Sequence, residues 1–222
     1  MSSFFQKLEA RVEEVNSLLC IGLDPHLKEL FPQDSGASAT LEQKCEAAFT
    51  FCKDIIEATL PYAACYKPNA AFFEALGVEQ GNVTLKRVHD LIPSNVPILL
   101  DVKRGDIGST AAAYAEACYD HLIADAVTLS PLMGWDSVAP FVTDKYSQKG
   151  AFLLCKTSNP GSNDILALTL QNGETVFEQI AKLAGQWSAN HSAQLGLVVG
   201  ATDADALAKS RKAGGSKVWI LA

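Results

Sequence analysis

The sequence predicts an α/β fold on a parallel sheet and, within that class, a (β/α)8 barrel. Three observations predict it. Seven strand-like apolar runs alternate with helix-like segments, the succession that builds a parallel sheet. No composition break interrupts the 222 residues, which are 48% hydrophobic and 19% charged, enough for one large core. Polar residues recur where nearly every run ends, the edge at which barrel enzymes place their sites. A doubly wound nucleotide-binding sheet is disfavoured, because no GxGxxG or P-loop follows the first run.

The elements follow in order. Residues 1–10 start an amphipathic helix; they lack the sustained apolar segment of a signal peptide. The first strand is predicted over 18–23 and ends in Asp24-Pro25. A turn-rich stretch over 32–39 precedes a helix over 40–60, where Thr40 and Gln43 have the spacing of a capping box. The second strand, 62–66, ends in Lys67-Pro68-Asn69. A helix over 82–92 leads to the third strand, 96–100. Residues 109–121 read as helix, helped by three consecutive alanines. The fourth strand is 126–130, stopped by Pro131, and a helix is predicted over 137–146 with Pro140 in its first turn. The fifth strand is 151–155, the next helix 174–190, the sixth strand 195–199, the last helix 203–212 and the seventh strand 217–221.

The chain ends at Ala222, in or just after that seventh strand. A typical barrel of about 250 residues needs roughly 25–30 more for a seventh helix and an eighth strand. The expectation is therefore one barrel domain over 1–222, truncated after strand seven and missing its last βα unit.

Composition narrows the function. A formal net charge of −7 gives no support to binding of nucleic acid or of a membrane surface, and no run approaches the length of a bilayer span. The six cysteines show no CxxC pair and no metal-ligand spacing. Cys20, Cys65 and Cys155 lie in apolar runs, where cysteine acts as a small hydrophobe, so reduced thiols and a cytoplasmic location are expected. His26, His89, His121 and His191 form no ligand set, and no metal or cofactor is expected.

The chemistry concentrates at three consecutive strand ends. Asp24 ends the first, Lys67 the second, and Asp101, Lys103 and Asp106 follow the third. One such charge is an ordinary solvated residue; five on one rim read as a site. If strand geometry persists through the motif, Asp101 and Lys103 project from one face.

Asp101-Val102-Lys103-Arg104-Gly105-Asp106-Ile107-Gly108-Ser109-Thr110 resembles the signature of the orotidine 5′-monophosphate decarboxylase family, in its branch with the DxKRGDI form. Leu23-Asp24-Pro25, Tyr66-Lys67-Pro68-Asn69 and Lys156-Thr157-Ser158-Asn159-Pro160-Gly161 resemble that family too, so the likeness runs in order along essentially the whole chain. Magnesium-dependent sugar-phosphate decarboxylases and hexulose-phosphate synthases share DxKxxD, but typically carry an acid where this chain has Lys67.

The resemblance implies a metal-free and cofactor-free conversion of orotidine 5′-monophosphate to uridine 5′-monophosphate, the last step of pyrimidine nucleotide synthesis. It implies a charged network of Lys67, Asp101, Lys103 and Asp106 at the reacting carbon, with Asp106 supplied across a homodimer interface. Asp24 and Asn69 would sit near the ribose, Ile107 and Thr110 of the partner would line the same site, and Thr157 with Ser158 would bind the pyrimidine edge at the base of a mobile loop over 158–164. A glycine-rich segment and an arginine for the phosphate are implied as well, and the sequence to Ala222 does not carry them. Some members are fused to orotate phosphoribosyltransferase. The mechanism expected is a buried Lys103 ammonium that stabilises a carbanion and then protonates it. The alternatives are a magnesium-dependent sugar-phosphate decarboxylase or aldolase, and a non-catalytic fragment that dimerises or binds nucleotide.

Overall fold

A computed structural model describes residues 2–222 as α/β structure. Two compact units divide the chain: Phe4–Val102 with Glu116–Ala126, and Lys103–Ala115 with Val127–Ala222 and the first residues.

The first unit runs α1 (Phe4–Val15), β1 (Leu19–Leu23), α2 (Leu27–Leu30), α3 (Leu41–Thr59), β2 (Ala63–Pro68), α4 (Ala70–Glu74) and α5 (Val78–His89) into the start of β3 (Leu99–Arg104). In α1, Phe4, Phe5, Leu8 and Arg11 are buried, which is one face of a helix at 3.6-residue period. The Arg11 guanidinium donates to the carbonyls of Leu60 at 2.6 Å and Ala63 at 3.1 Å. Lys7 pairs with Asp125 at 2.7 Å, and the same carboxylate oxygen accepts the Ile98 N–H at 3.0 Å. Both links fasten the helix to the amino ends of strands. The Thr40–Gln43 capping box of α3 forms in both directions, and its buried Cys45, Ala48, Cys52 and Ile56 follow helical spacing.

β1 and β2 pair in parallel, with Cys20 opposite Cys65 and Gly22 opposite Lys67. Bridges Tyr66↔Ile98 and Asn69↔Asp101 tie β2 to β3. His26 lies against Phe72, ring centroids 4.1 Å apart. Burial pushes the imidazole of His89 below its ordinary pKa, a hydrogen bond with the Leu122 carbonyl at 2.6 Å opposing.

Past Val102 the chain forms α6 (Gly108–Glu116), extended by a π-helical turn at Ala117–His121, then β4 (Ala126–Leu129), α7 (Ala139–Val142), β5 (Gly150–Lys156), α8 (Val176–His191), β6 (Gln194–Val199), α9 (Ala204–Gly214) and β7 (Trp219–Leu221). The sheet order is β3-β4-β5-β6-β7, with β5, β6 and β7 parallel. Every residue of β4 is buried and only Leu154 of β5 is partly exposed, as expected for strands covered on both faces. A Cβ at Gly105 would lie 2.9 Å from that of Ser130, so only glycine permits this approach of the chain after β3 to the end of β4. Among the described residues no helix is long and apolar enough to cross a membrane, and all six cysteines are free thiols.

Two expectations are corrected. The third strand begins at Leu99, not Val96, so Asp101, Lys103 and Arg104 lie within the strand and Asp106 follows it. Pro97 has no N–H for a ladder and pairs only through its carbonyl, which accepts the Tyr66 N–H at 3.1 Å. The segment over 137–146 is not one helix: Trp135–Ser137 and Asp144–Tyr146 are 3-10 turns flanking the single turn of α7, and Asp144 has φ +47°. The stretch over 158–164 contains a 3-10 turn, Pro160–Asp164.

Candidate active site

In the first unit, the parallel register brings the carboxyl ends of three strands together. Lys67 lies in β2, and its ammonium meets the Asp101 carboxylate at 3.1 Å. Asp101 is only 7% exposed, and a buried carboxylate needs such a partner. Asn69 is bridged to Asp101 through the backbone, while its side chain accepts the Ala71 N–H at 3.2 Å as the N-cap of α4. One carboxylate oxygen of Asp24 is buried with no donor among the described residues. It is an acceptor that a ligand hydroxyl can satisfy. One layer down, the Cys20 thiol is drawn below its ordinary pKa, first by a hydrogen bond with Cys65 and also by the charge of Lys67, against the effect of burial.

Lys103 departs from the expected strand alternation. Its φ is +46°, a left-handed conformation that costs a non-glycine residue about 1–3 kcal/mol and collects at functional positions. Its backbone N–H is held by the buried Thr128 hydroxyl at 3.0 Å. In the single chain Lys103 is exposed, although β3 runs on through Arg104. Arg104 accepts the Ser130 N–H at 2.7 Å and places its guanidinium 5.0 Å from the Tyr114 ring. Asp106 accepts the Ile107 N–H at 2.8 Å. Ile107 is 52% exposed and Thr110 is exposed on α6.

Thr157 and Ser158 follow β5 in the second unit. Thr157 donates to Asn159 at 2.7 Å. A cavity of about 230 Å³ opens beside them, lined by Ser130, Leu132, Leu154, Thr157, Ser162 and Ile165 among others. Lys156 is not among the site residues that the sequence predicts. The structure buries it to 7% exposure; the signal was a lysine closing the otherwise apolar run of β5.

Charged groups gathered at the carboxyl ends of parallel strands stand where α/β-barrel enzymes place their sites. Comparison with known proteins takes the assignment further. The sequence model of the orotidine 5′-phosphate decarboxylase / HUMPS family matches residues 17–221, and the chain belongs to that family. It is 49% identical over 203 residues to the orotidine 5′-phosphate decarboxylase of Herpetosiphon aurantiacus, covering 90% of this chain and 70% of that one. The Bordetella pertussis protein of the same name is 42% identical over 220 residues, covering 99% and 77%. The solved Leishmania donovani OMP decarboxylase superposes with a TM-score of 0.83 at 45% identity, over 98% of this chain and 78% of that one. The Leishmania donovani UMP synthase superposes at 0.84 with 44% identity, over 99% of this chain and 44% of that one. The fold is thus the (β/α)8 barrel class the sequence predicts.

Proposed function

We propose that this protein decarboxylates orotidine 5′-monophosphate to uridine 5′-monophosphate, as a carboxy-lyase of pyrimidine nucleotide synthesis. The observation that carries this choice within the family is the Lys67–Asp101 ion pair at 3.1 Å. The magnesium-dependent alternative resembles this motif with an acid at that strand end; here an ammonium occupies the place and is committed to the carboxylate. Identity of 42–49% to proteins named orotidine 5′-phosphate decarboxylase supports the same choice.

In this reading Lys67, Asp101, Lys103 and Asp106 act as one alternating network. The bond from C6 of the pyrimidine to its carboxylate breaks, CO₂ leaves, and the electron pair stays on C6. The Lys103 ammonium stabilises that developing charge and then gives C6 a proton, recovering its own from water. Its strained backbone and the Thr128 hydroxyl that holds it support a fixed donor at this position. The orphan oxygen of Asp24 supports a contact to a ribose hydroxyl, with Asn69 beside it. Thr157 and Ser158, next to the cavity, supply the pyrimidine-edge contacts. We assign Asp106, Ile107 and Thr110 to a homodimer interface, each completing the partner's site; the exposed Ile107 supports this. The UMP synthase relative, of which this chain covers 44%, gives fusion to orotate phosphoribosyltransferase a precedent. Free thiols support a cytoplasmic location.

The test is an assay of the product of the natural reading frame with orotidine 5′-monophosphate, with and without EDTA, followed by loss of the substrate's absorbance. Turnover that survives EDTA and disappears in Lys103→Ala, while uridine 5′-monophosphate still binds, is the expected result. Strict dependence on added magnesium, or near-normal turnover by Lys103→Ala, would refute it.

A further inference from the structure

Lys156 is a charged residue where the core would accept an apolar one. It ends β5 at 7% exposure, after four buried neighbours and one half-buried one in Ala151–Cys155. Burying an ammonium costs several kcal/mol unless it is paired. Among the described residues no carboxylate lies within ion-pair distance of it; its hydrogen bonds go to the Ser162 hydroxyl at 2.5 Å and the Asn163 side-chain carbonyl at 3.1 Å. Both partners belong to the 3-10 turn Pro160–Asp164. The Lys156 backbone is fixed as well, its carbonyl accepting the Gly200 N–H at 2.7 Å. Gly200 in turn packs so closely under Ser158 that a Cβ there would meet the Ser158 backbone at 3.0–3.1 Å. Thr157 and Ser158 therefore sit between an anchored strand end and a turn tied back to that same residue.

We infer that Lys156 is a positioning residue: through Ser162 and Asn163 its ammonium holds the turn closed over the cavity and so fixes Thr157 and Ser158 against the pyrimidine edge. The inference rests on the reading of those two residues as substrate contacts. Both acceptors are neutral oxygens on one turn, so the ammonium ties the strand end to that turn instead of neutralising an acid.

Lys156→Met keeps the buried stem and removes the donors. The expected result is a fall in kcat/KM for orotidine 5′-monophosphate of about tenfold or more, carried mainly by KM because the lost contact serves ground and transition states alike. Amide hydrogen exchange over residues 157–166 of the ligand-free protein should quicken. Adding Ser162→Ala and Asn163→Ala to Lys156→Met should cost little more, since the three act as one unit. Parent-like exchange in Lys156→Met, or quickened exchange with unchanged kcat/KM, overturns the inference. A parent protein that fails to turn over the substrate sinks the functional reading instead; the exchange comparison needs no turnover and decides separately whether Lys156 holds the segment.

Discussion

Lys67 and Asp101 provide a direct test of whether the site is held together at the expense of stability. Their charges are 3.1 Å apart, with side-chain exposures of 21% and 8%. At the effective dielectric constant of about 20 that suits such sites, the gross attraction is about 5 kcal/mol. Removing only the cation leaves a buried carboxylate, a loss that runs to about 3–5 kcal/mol. Because Lys67 keeps some contact with water, Lys67→Met should cost about 3 kcal/mol, the lower end of that range. The accompanying fall in melting temperature is roughly 6–12 °C for a chain of this size. The double variant Lys67→Met/Asp101→Leu replaces the pair by apolar groups, an exchange that is often neutral or stabilising. It should recover to within about 1 kcal/mol of the parent in urea unfolding followed by circular dichroism, and have no decarboxylase activity. If Lys67→Met alone costs less than about 1 kcal/mol and the second change restores nothing, the ion pair is not a feature of the folded protein in solution. A double variant that still turned over substrate would break the assigned roles.

Two further outcomes follow from single residues. Lys103 adopts a left-handed conformation, so Lys103→Gly should be more stable than Lys103→Ala by about 1 kcal/mol, both being inactive; equal unfolding midpoints would show that the strain is not there. Burial depresses the folded-state pKa of His89 below 6.5, so the protein favours the neutral ring. That contribution is complete above the unfolded value and is lost as pH falls through the folded one. Urea titrations from pH 7 down to about 5 should show a shallower loss of stability in His89→Gln than in the parent, and parallel curves would contradict this assignment.

Much of the architecture was legible because the fully buried strands are short apolar runs bounded by turn formers, as at 126–130 and 151–155. The Thr40–Gln43 pattern likewise announced the start of α3 through the hydrogen bonds it makes. What failed was local. Val96-Pro97-Ile98-Leu99-Leu100 has the composition of a strand, yet the observed strand starts at Leu99 and runs on through Arg104, because strand ends in such a fold carry the polar groups of the site. The one-turn α4 was missed, since five residues offer no period to read. For the candidate site, residue identities were legible and geometry was not. Asp101 and Lys67 meet as the rim argument predicts, whereas the alternation rule placed Lys103 on Asp101's face and could not foresee φ +46°. Lys156 was overlooked because nothing in its neighbours along the chain says that Ser162 and Asn163 return to it.

The staples of α1 lie at the opposite ends of the strands from the chemistry. Arg11 holds the carbonyls of Leu60 and Ala63, and Lys7 holds Asp125, while Lys67 and Asp101 meet several residues further along β2 and β3. Mutational effects should therefore differ in kind along each strand: both ends bear on stability, but only the carboxyl end bears on the chemistry. Substitutions at Lys7 or Arg11 would alter the amount of folded protein while leaving the catalytic constants of the folded fraction intact. Substitutions at the other end could redirect the substrate without loosening the helix. Such a division makes a lineage evolvable: new chemistry can be sampled at one end of the strands while the helix stays docked at the other.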